Sequence, residues 1–303
     1  MISNVVEPQL DVSESLWSVD RIRDDIERRG IAGELDRDIR SAFDETVAAY
    51  IDSPGPPETL YHYTSESAMR SILLSSPESR HLRAGDMAQT NDKTESLDAF
   101  VSSFGQGCED RIRDSLDRIA IHLACFSPDA EMPGQWKEYG NGYTGCAIGF
   151  NTTRLQEWCQ RQSPGLPMFA MNYDRSRHEE MLLFFGQKAR QLYRRWLPPE
   201  AYKSPALNFF LGQARATEFL FMLQFHFKDG RWQDEQEWRI RAMDRRSQNP
   251  GSFTELRICT PDLVTELILG SRYDGEPAAV ERELREAGLG NVKVGRSSCR
   301  LLT

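Results

Sequence analysis

Ile119-Ala120-Ile121-His122-Leu123-Ala124-Cys125-Phe126-Ser127, stopped by Pro128, is the stretch on which the fold class turns. Ile119, Ile121 and Leu123 recur at a period of two, the mark of a strand with one face buried, and a proline cannot continue the ladder. Other strands are predicted on both sides of it: Leu60 to Tyr63, Thr144 to Phe150, Gln236 to Ala242, Phe253 to Cys259, Leu267 to Leu269 and Asn291 to Val294. Helices intervene. Thr64 or Ser65 can cap one carrying Met69, Ile72 and Leu73, a second starts near Asn91, and a third is capped by Asn151 and runs through Trp158. Residues 176–195 and 205–227 read as helical, as does Ala278 to Ala287. The mixture is α+β, a central mixed or antiparallel sheet with flanking helices.

Before this domain, Leu16, Val19, Ile22 and Ile26 follow a 3.6-residue period after a cap candidate at Ser13, and Leu35, Ile39, Phe43 and Val47 repeat it after Gly30. An N-terminal helical hairpin over residues 1–52 is therefore expected to precede a main domain at 58–303. The break between them is Ser53-Pro54-Gly55-Pro56-Pro57, which suits neither helix nor central strand. The hairpin is expected either to dock on the main domain or to recruit a partner.

The chain has 303 residues, 39% of them hydrophobic and 27% charged, with no apolar run long enough to span a bilayer. No membrane role is expected. The start, Met1-Ile2-Ser3-Asn4-Val5-Val6-Glu7, has no basic and apolar signal pattern, so a cytoplasmic location and six reduced cysteines are expected. Those cysteines form no C-x-x-C pair and the five histidines show no ligand spacing, so no metal is expected. A net charge of -9 opposes general affinity for nucleic acid, leaving only a local patch.

Chemistry concentrates where polar residues interrupt apolar or aromatic strands. His62 sits between Tyr61 and Tyr63, Ser127 ends the strand that contains Cys125, and Glu237 and Arg239 alternate with Trp238. Such groups are costly to bury unless each is paired. In the 236–242 strand, Glu237, Arg239 and Arg241 face one way and Trp238 and Ile240 the other. That face is either a salt-bridged ladder on an exposed sheet or the lining of a cleft, and His62 is either a satisfied core residue or a functional one. Trp136 and Tyr139, in a Pro-Gly-Gln-Trp loop, either bind a ligand or plug the end of the sheet. His122 is expected to be structural or exposed, and His81, His178 and His226 to be structural. Gly140-Asn141-Gly142-Tyr143-Thr144-Gly145 spells G-x-G-x-x-G but precedes a strand, so it reads as a turn and not as a dinucleotide fingerprint.

The tyrosine-histidine-tyrosine strand, Asn91-Asp92-Lys93-Thr94-Glu95, Cys125-Phe126-Ser127, Trp136 with Tyr139, Gly145 to Phe150, Trp232 with Glu235-Gln236-Glu237-Trp238-Arg239, and Ile268 to Gly270 occur in one order. In that order, from about Leu60 to Val294, the chain resembles the bacterial domain-of-unknown-function 2971 family, with Gln135 where a Met usually precedes the Trp. A weaker resemblance, to ADP-ribosyltransferases of the diphtheria-toxin and DarT kind, lies in a His strand, a Ser or Tyr segment on a second strand and a late Glu strand. It implies an ADP-ribosyltransferase-like fold and NAD as substrate, with His62 on the ribose, Glu237 as catalytic carboxylate and Ser127 bracing it. Tyr139 or Tyr143 would stack on nicotinamide, with Tyr63 and Trp136 lining the site and Arg239 tuning the acid or gripping phosphate. The implied function is ADP-ribosyl transfer to an unknown protein or nucleic-acid acceptor, as a toxin or in phage defence. The alternative is a non-catalytic recognition module for a ligand or protein.

Overall fold

A computed structural model describes residues 19–50, 55–86, 119–162, 166–202, 219, 222–223, 226–245 and 253–300. The expected cap at Ser13, the helix from Asn91 and most of 205–227 lie outside the described residues. The chain opens with α1 (Val19–Arg28) and α2 (Ala32–Tyr50), then β1 (Thr59–Thr64), α3 (Glu66–Leu73), β2 (Leu82–Asp86) and β3 (Ile119–Phe126). There follow α4 (Pro133–Glu138), β4 (Cys146–Asn151), α5 (Thr152–Arg161), β5 (Met168–Ala170), α6 (Arg175–Trp196) and α7 (Pro199–Tyr202). A 3₁₀ helix (Gly230–Glu235) leads into β6 (Trp238–Arg245), β7 (Phe253–Leu256), β8 (Val264–Leu269), α8 (Pro277–Glu286) and β9 (Lys293–Arg296).

The class is α+β, but the strands form two sheets where one central sheet was expected. Their orders are β1-β4-β8-β9 and β5-β6-β3-β2-β7, and every pairing is antiparallel except β8 with β9. The sheets join through β3. Near its middle it pairs with β2 at Leu123 and His122, and beyond its end the Ser127 and Tyr61 amides and carbonyls exchange hydrogen bonds of 2.8 Å. This switch of partner sets β1, β3 and β6 side by side. Because side chains alternate along a strand, Ala124 and Phe126 of β3 and Trp238 and Ile240 of β6 enter one core with Leu60, Ile148 and Phe150. Cys125 and Leu123 point into the other, beside Phe169.

The second core is shared by the N-terminal helices. Ile39, Ala42 and Phe43 of α2 pack with Phe185 of α6, and Phe43 meets Phe185 edge to face at 6.3 Å. The apolar stripe read from the sequence is thus spent on docking to the main domain. Caps form where expected: Ser65 Oγ accepts the Ala68 amide of α3, and Asn151 Oδ1 accepts the Arg154 amide of α5.

Candidate functional site

The site grows from β6. Glu237, at the entrance to that strand, is only 6% exposed. Arg239 grips its carboxylate with Nε on Oε1 at 2.9 Å and Nη2 on Oε2 at 2.9 Å. Lys228 Nζ donates to the same Oε2 at 3.1 Å and to Glu235 Oε2 at 2.7 Å, and the Cys125 thiol of β3 lies near enough to feel the charge of the Glu237 carboxylate. Burial pushes the Glu237 carboxyl up, but Arg239, Lys228 and the thiol outweigh it and hold the group at about 2. Burial and the adjacent carboxylate push Cys125 well above the usual thiol range, so it stays protonated and is not a thiolate. The exposed ladder considered from the sequence is therefore corrected: the face carrying Glu237, Arg239 and Arg241 is the expected one, but it is buried.

The chain just before Glu237 is bent sharply. Gln236 has a left-handed φ of 46°, and the Glu237 amide donates to the Tyr173 hydroxyl at 2.8 Å. Non-glycine residues adopt this conformation at a cost, and the hydrogen bonds on both sides of Gln236 hold it there.

His62 approaches from β1. Its Nδ1 lies 3.0 Å from the Cys125 carbonyl oxygen, at the point where β3 leaves β2 for β1. A carbonyl only accepts, so Nδ1 carries the proton. Burial lowers the pKa of the ring and keeps it neutral, which makes Nε2 an acceptor. Cys125 thus stands next to both groups: His62 bonds its carbonyl, and the charge of the Glu237 carboxylate acts on its thiol. Tyr139, 47% exposed, lies within the field of the same charges: burial of part of its ring, with Glu235 and Glu237, pushes its hydroxyl up to about 12. Trp232, 38% exposed, holds its ring 5.3 Å from Lys228 Nζ.

The remaining candidates gather elsewhere. Trp136 is fully buried and stands in α4, not in a loop as expected; Pro133 begins that helix and the indole donates to the Ala130 carbonyl at 2.8 Å. Tyr63 meets Trp136 edge to face at 5.0 Å and donates to the Asp129 carbonyl at 2.6 Å, while the Tyr143 hydroxyl donates to the Pro133 carbonyl at 3.2 Å. These three rings form a small core. Ser127 Oγ accepts the Asp129 amide at 3.3 Å, whereas the donors on the Glu237 carboxylate are Arg239 and Lys228. The glycine-rich segment is the turn expected: Asn141, Gly142 and Tyr143 have φ of 50°, 61° and 71°.

Lys228 and Trp232 escaped the sequence reading as site residues. The only signal was the Trp232 landmark, since Lys228 lies nine residues from Glu237 with no periodic relation to it. Of the other histidines, His122 is buried and shares a hydrogen bond of 3.0 Å with Thr254, as a structural role requires. His178 and His226 are both buried against aromatic rings, His178 stacked on Phe227 at 4.3 Å and His226 tilted against Phe169 at 4.0 Å. Among the described residues there is no cluster of three or more His, Cys, Asp or Glu able to hold a metal, and no helix long and apolar enough to cross a membrane.

These features define an α+β protein with a split sheet and a buried ionic cluster roofed by exposed aromatic rings. Residues 135–240 match the model of a family described as a protein of unknown function, DUF2971, the family that the order of motifs in the sequence resembles. The matched segment contains Tyr139, Lys228, Trp232, Glu237 and Arg239, while His62 and Ser127 lie before it. No curated protein and no solved structure matches the chain.

Proposed function

We propose that this site carries out ADP-ribosyl chemistry on NAD, and the observation behind the reading is that one residue, Cys125, is bonded by His62 through its carbonyl and lies in the field of the buried Glu237 carboxylate. The two side chains come from strands far apart in the sequence, in the order that the ADP-ribosyltransferase resemblance implies. His62 Nε2, an acceptor, receives a hydroxyl of the nicotinamide ribose, and Tyr139 and Trp232 supply exposed faces for a planar ring. The ribose–nicotinamide bond breaks with its electron pair leaving on the pyridine nitrogen. The fixed carboxylate of Glu237 stabilises the positive charge left at the ribose. An acceptor nucleophile then bonds to that carbon and loses its proton. Because Lys228 and Arg239 balance Glu235 and Glu237, the cluster carries no surplus positive charge, and Arg239 is committed to Glu237 instead of to phosphate.

A second reading rests on that same balance. A carboxylate already surrounded by donors is built to hold shape, which favours a recognition module that binds a ligand against Tyr139 and Trp232 without turnover. Incubation with NAD labelled in its adenosine half separates the two. ADP-ribosyl chemistry releases nicotinamide or transfers label, and Glu237→Gln abolishes this in a variant that still melts cooperatively; undiminished turnover in Glu237→Gln removes the assignment. A rise in melting temperature with NAD and no released nicotinamide assigns recognition instead.

A further inference from the structure

Both readings of the site count Lys228 only as balancing charge, but its position is more specific than that. Its ammonium lies between two carboxylates, 2.7 Å from Glu235 Oε2 and 3.1 Å from Glu237 Oε2, and its side chain is almost fully buried. Glu235 ends the 3₁₀ helix that also carries Trp232, and only Gln236, with its left-handed backbone, separates it from Glu237. Arg239 supplies two parallel donors to Glu237, one for each oxygen. With Lys228 in place Oε2 has a donor for each of its two lone pairs, Arg239 Nη2 and Lys228 Nζ. A ligand hydroxyl therefore reaches Oε2 only when one of them withdraws. Arg239 is held as a planar fork on both oxygens, whereas a lysine is a point charge on a flexible stem with a second carboxylate beside it.

We propose that Lys228 is a positioning residue that gates Glu237: it caps the carboxylate at rest and withdraws onto Glu235 when a hydroxyl-bearing ligand is admitted. This rests on the reading of Glu237 as the functional acid. In the resting site Lys228 also lies against the Trp232 ring, so its shift toward Glu235 moves the cation along the surface on which a planar ligand would rest. The substrate class that fits is a polyol attached to a planar ring, its hydroxyl taking the place on Glu237 that the ammonium leaves.

The gate predicts opposite effects from two substitutions. Lys228→Met uncovers Glu237, and Glu235→Gln removes the competing carboxylate and leaves the ammonium on Glu237. Labelling of Glu237 by a water-soluble carbodiimide and an amine, read by mass spectrometry of the folded full-length protein, is expected to accelerate in Lys228→Met and to slow in Glu235→Gln. With NAD as the probe, KM or Kd falls roughly tenfold in the first variant and rises roughly tenfold in the second, the size of one hydrogen bond to a charged group. A purely structural salt bridge would instead move both variants in the same direction, and labelling changes of the same sign, or none, overturn the gate. If labelling diverges as expected while no variant binds or cleaves NAD, the gate stands and the NAD reading falls. Lys228→Arg, which keeps the charge, is the folding control and restores the slow labelling.

Discussion

Trp136 shows how far a single residue's role depends on what surrounds it. In the sequence it is an aromatic in a Pro-Gly segment, equally suited to binding a ligand or closing a sheet. Complete burial, the hydrogen bond to Ala130 and edge contact with Tyr63 leave no face of the ring for a ligand. Trp136→Ala is accordingly expected to cost about 3–5 kcal/mol of stability, the usual penalty for emptying so large a volume. Urea unfolding measures this, and a variant as stable as the parent that has lost ligand binding would reverse the assignment. Tyr139, three residues on, has the opposite fate because it caps α4 at the surface. Sequence spacing could not sort the two. Pro133 at the first helical position was the available clue, since it marks a helix start that turns one ring inward and leaves the other outside. Glu237 and Arg239 were legible for a firmer reason: period-two alternation fixes which residues share a face. Whether that face is covered depends on Lys228, Tyr173 and β5, which arrive from other parts of the chain.

Among the elements, legibility follows length and apolar content. β1, β3 and β4 announce themselves through aromatic or β-branched residues, as does β8, whereas the buried face of β2 holds only two apolar residues, Leu82 and Ala84, beside Asp86, and β5 is three residues long. Neither short strand was anticipated, and without them the two sheets merge into the single one expected. The turn before β4 was read correctly because its glycines precede a strand. Gly145 shows why that turn is glycine-rich: a Cβ there would collide with the Thr64 carbonyl of β1, which pairs with Cys146 across the sheet. Gly145→Ala is thus expected to push β1 from β4 and to destabilise by about 1–3 kcal/mol. Thermal unfolding tests it, and an unchanged melting temperature would show that the strands separate at no cost. Since β1 carries His62, the same variant should weaken any ligand effect that depends on the imidazole.

At the scale of the whole molecule, buried ionisable groups tie stability to pH. Burial, with a smaller contribution from Arg175, lowers His178 to about 4, and burial with Arg241 and His178 lowers His226 further below its usual range. Both rings are neutral in the folded protein and bind protons more readily once unfolded. Stability from His178 is therefore complete above about pH 6.5 and disappears as pH falls toward about 4, amounting to roughly 3 kcal/mol. Glu237 acts in the next window. Its depressed value of about 2, against 4.5 for the free group, adds stability above pH 4.5 that is lost on further acidification. The surface works the other way at first, because a chain with net charge -9 and a pI near 5.2 sheds self-repulsion as it is acidified toward neutrality. A fall in stability between pH 6.5 and 5.2 thus has its source in the buried imidazoles and not in surface charge. Denaturant midpoints measured from pH 7.5 down to 4.5 are expected to decline in the parent and to decline less steeply in His178→Phe, which keeps a ring against Phe227 and removes the proton site. Superimposable profiles would mean that His178 takes up its proton without unfolding the core, and the linkage between this aromatic layer and acid sensitivity would be lost.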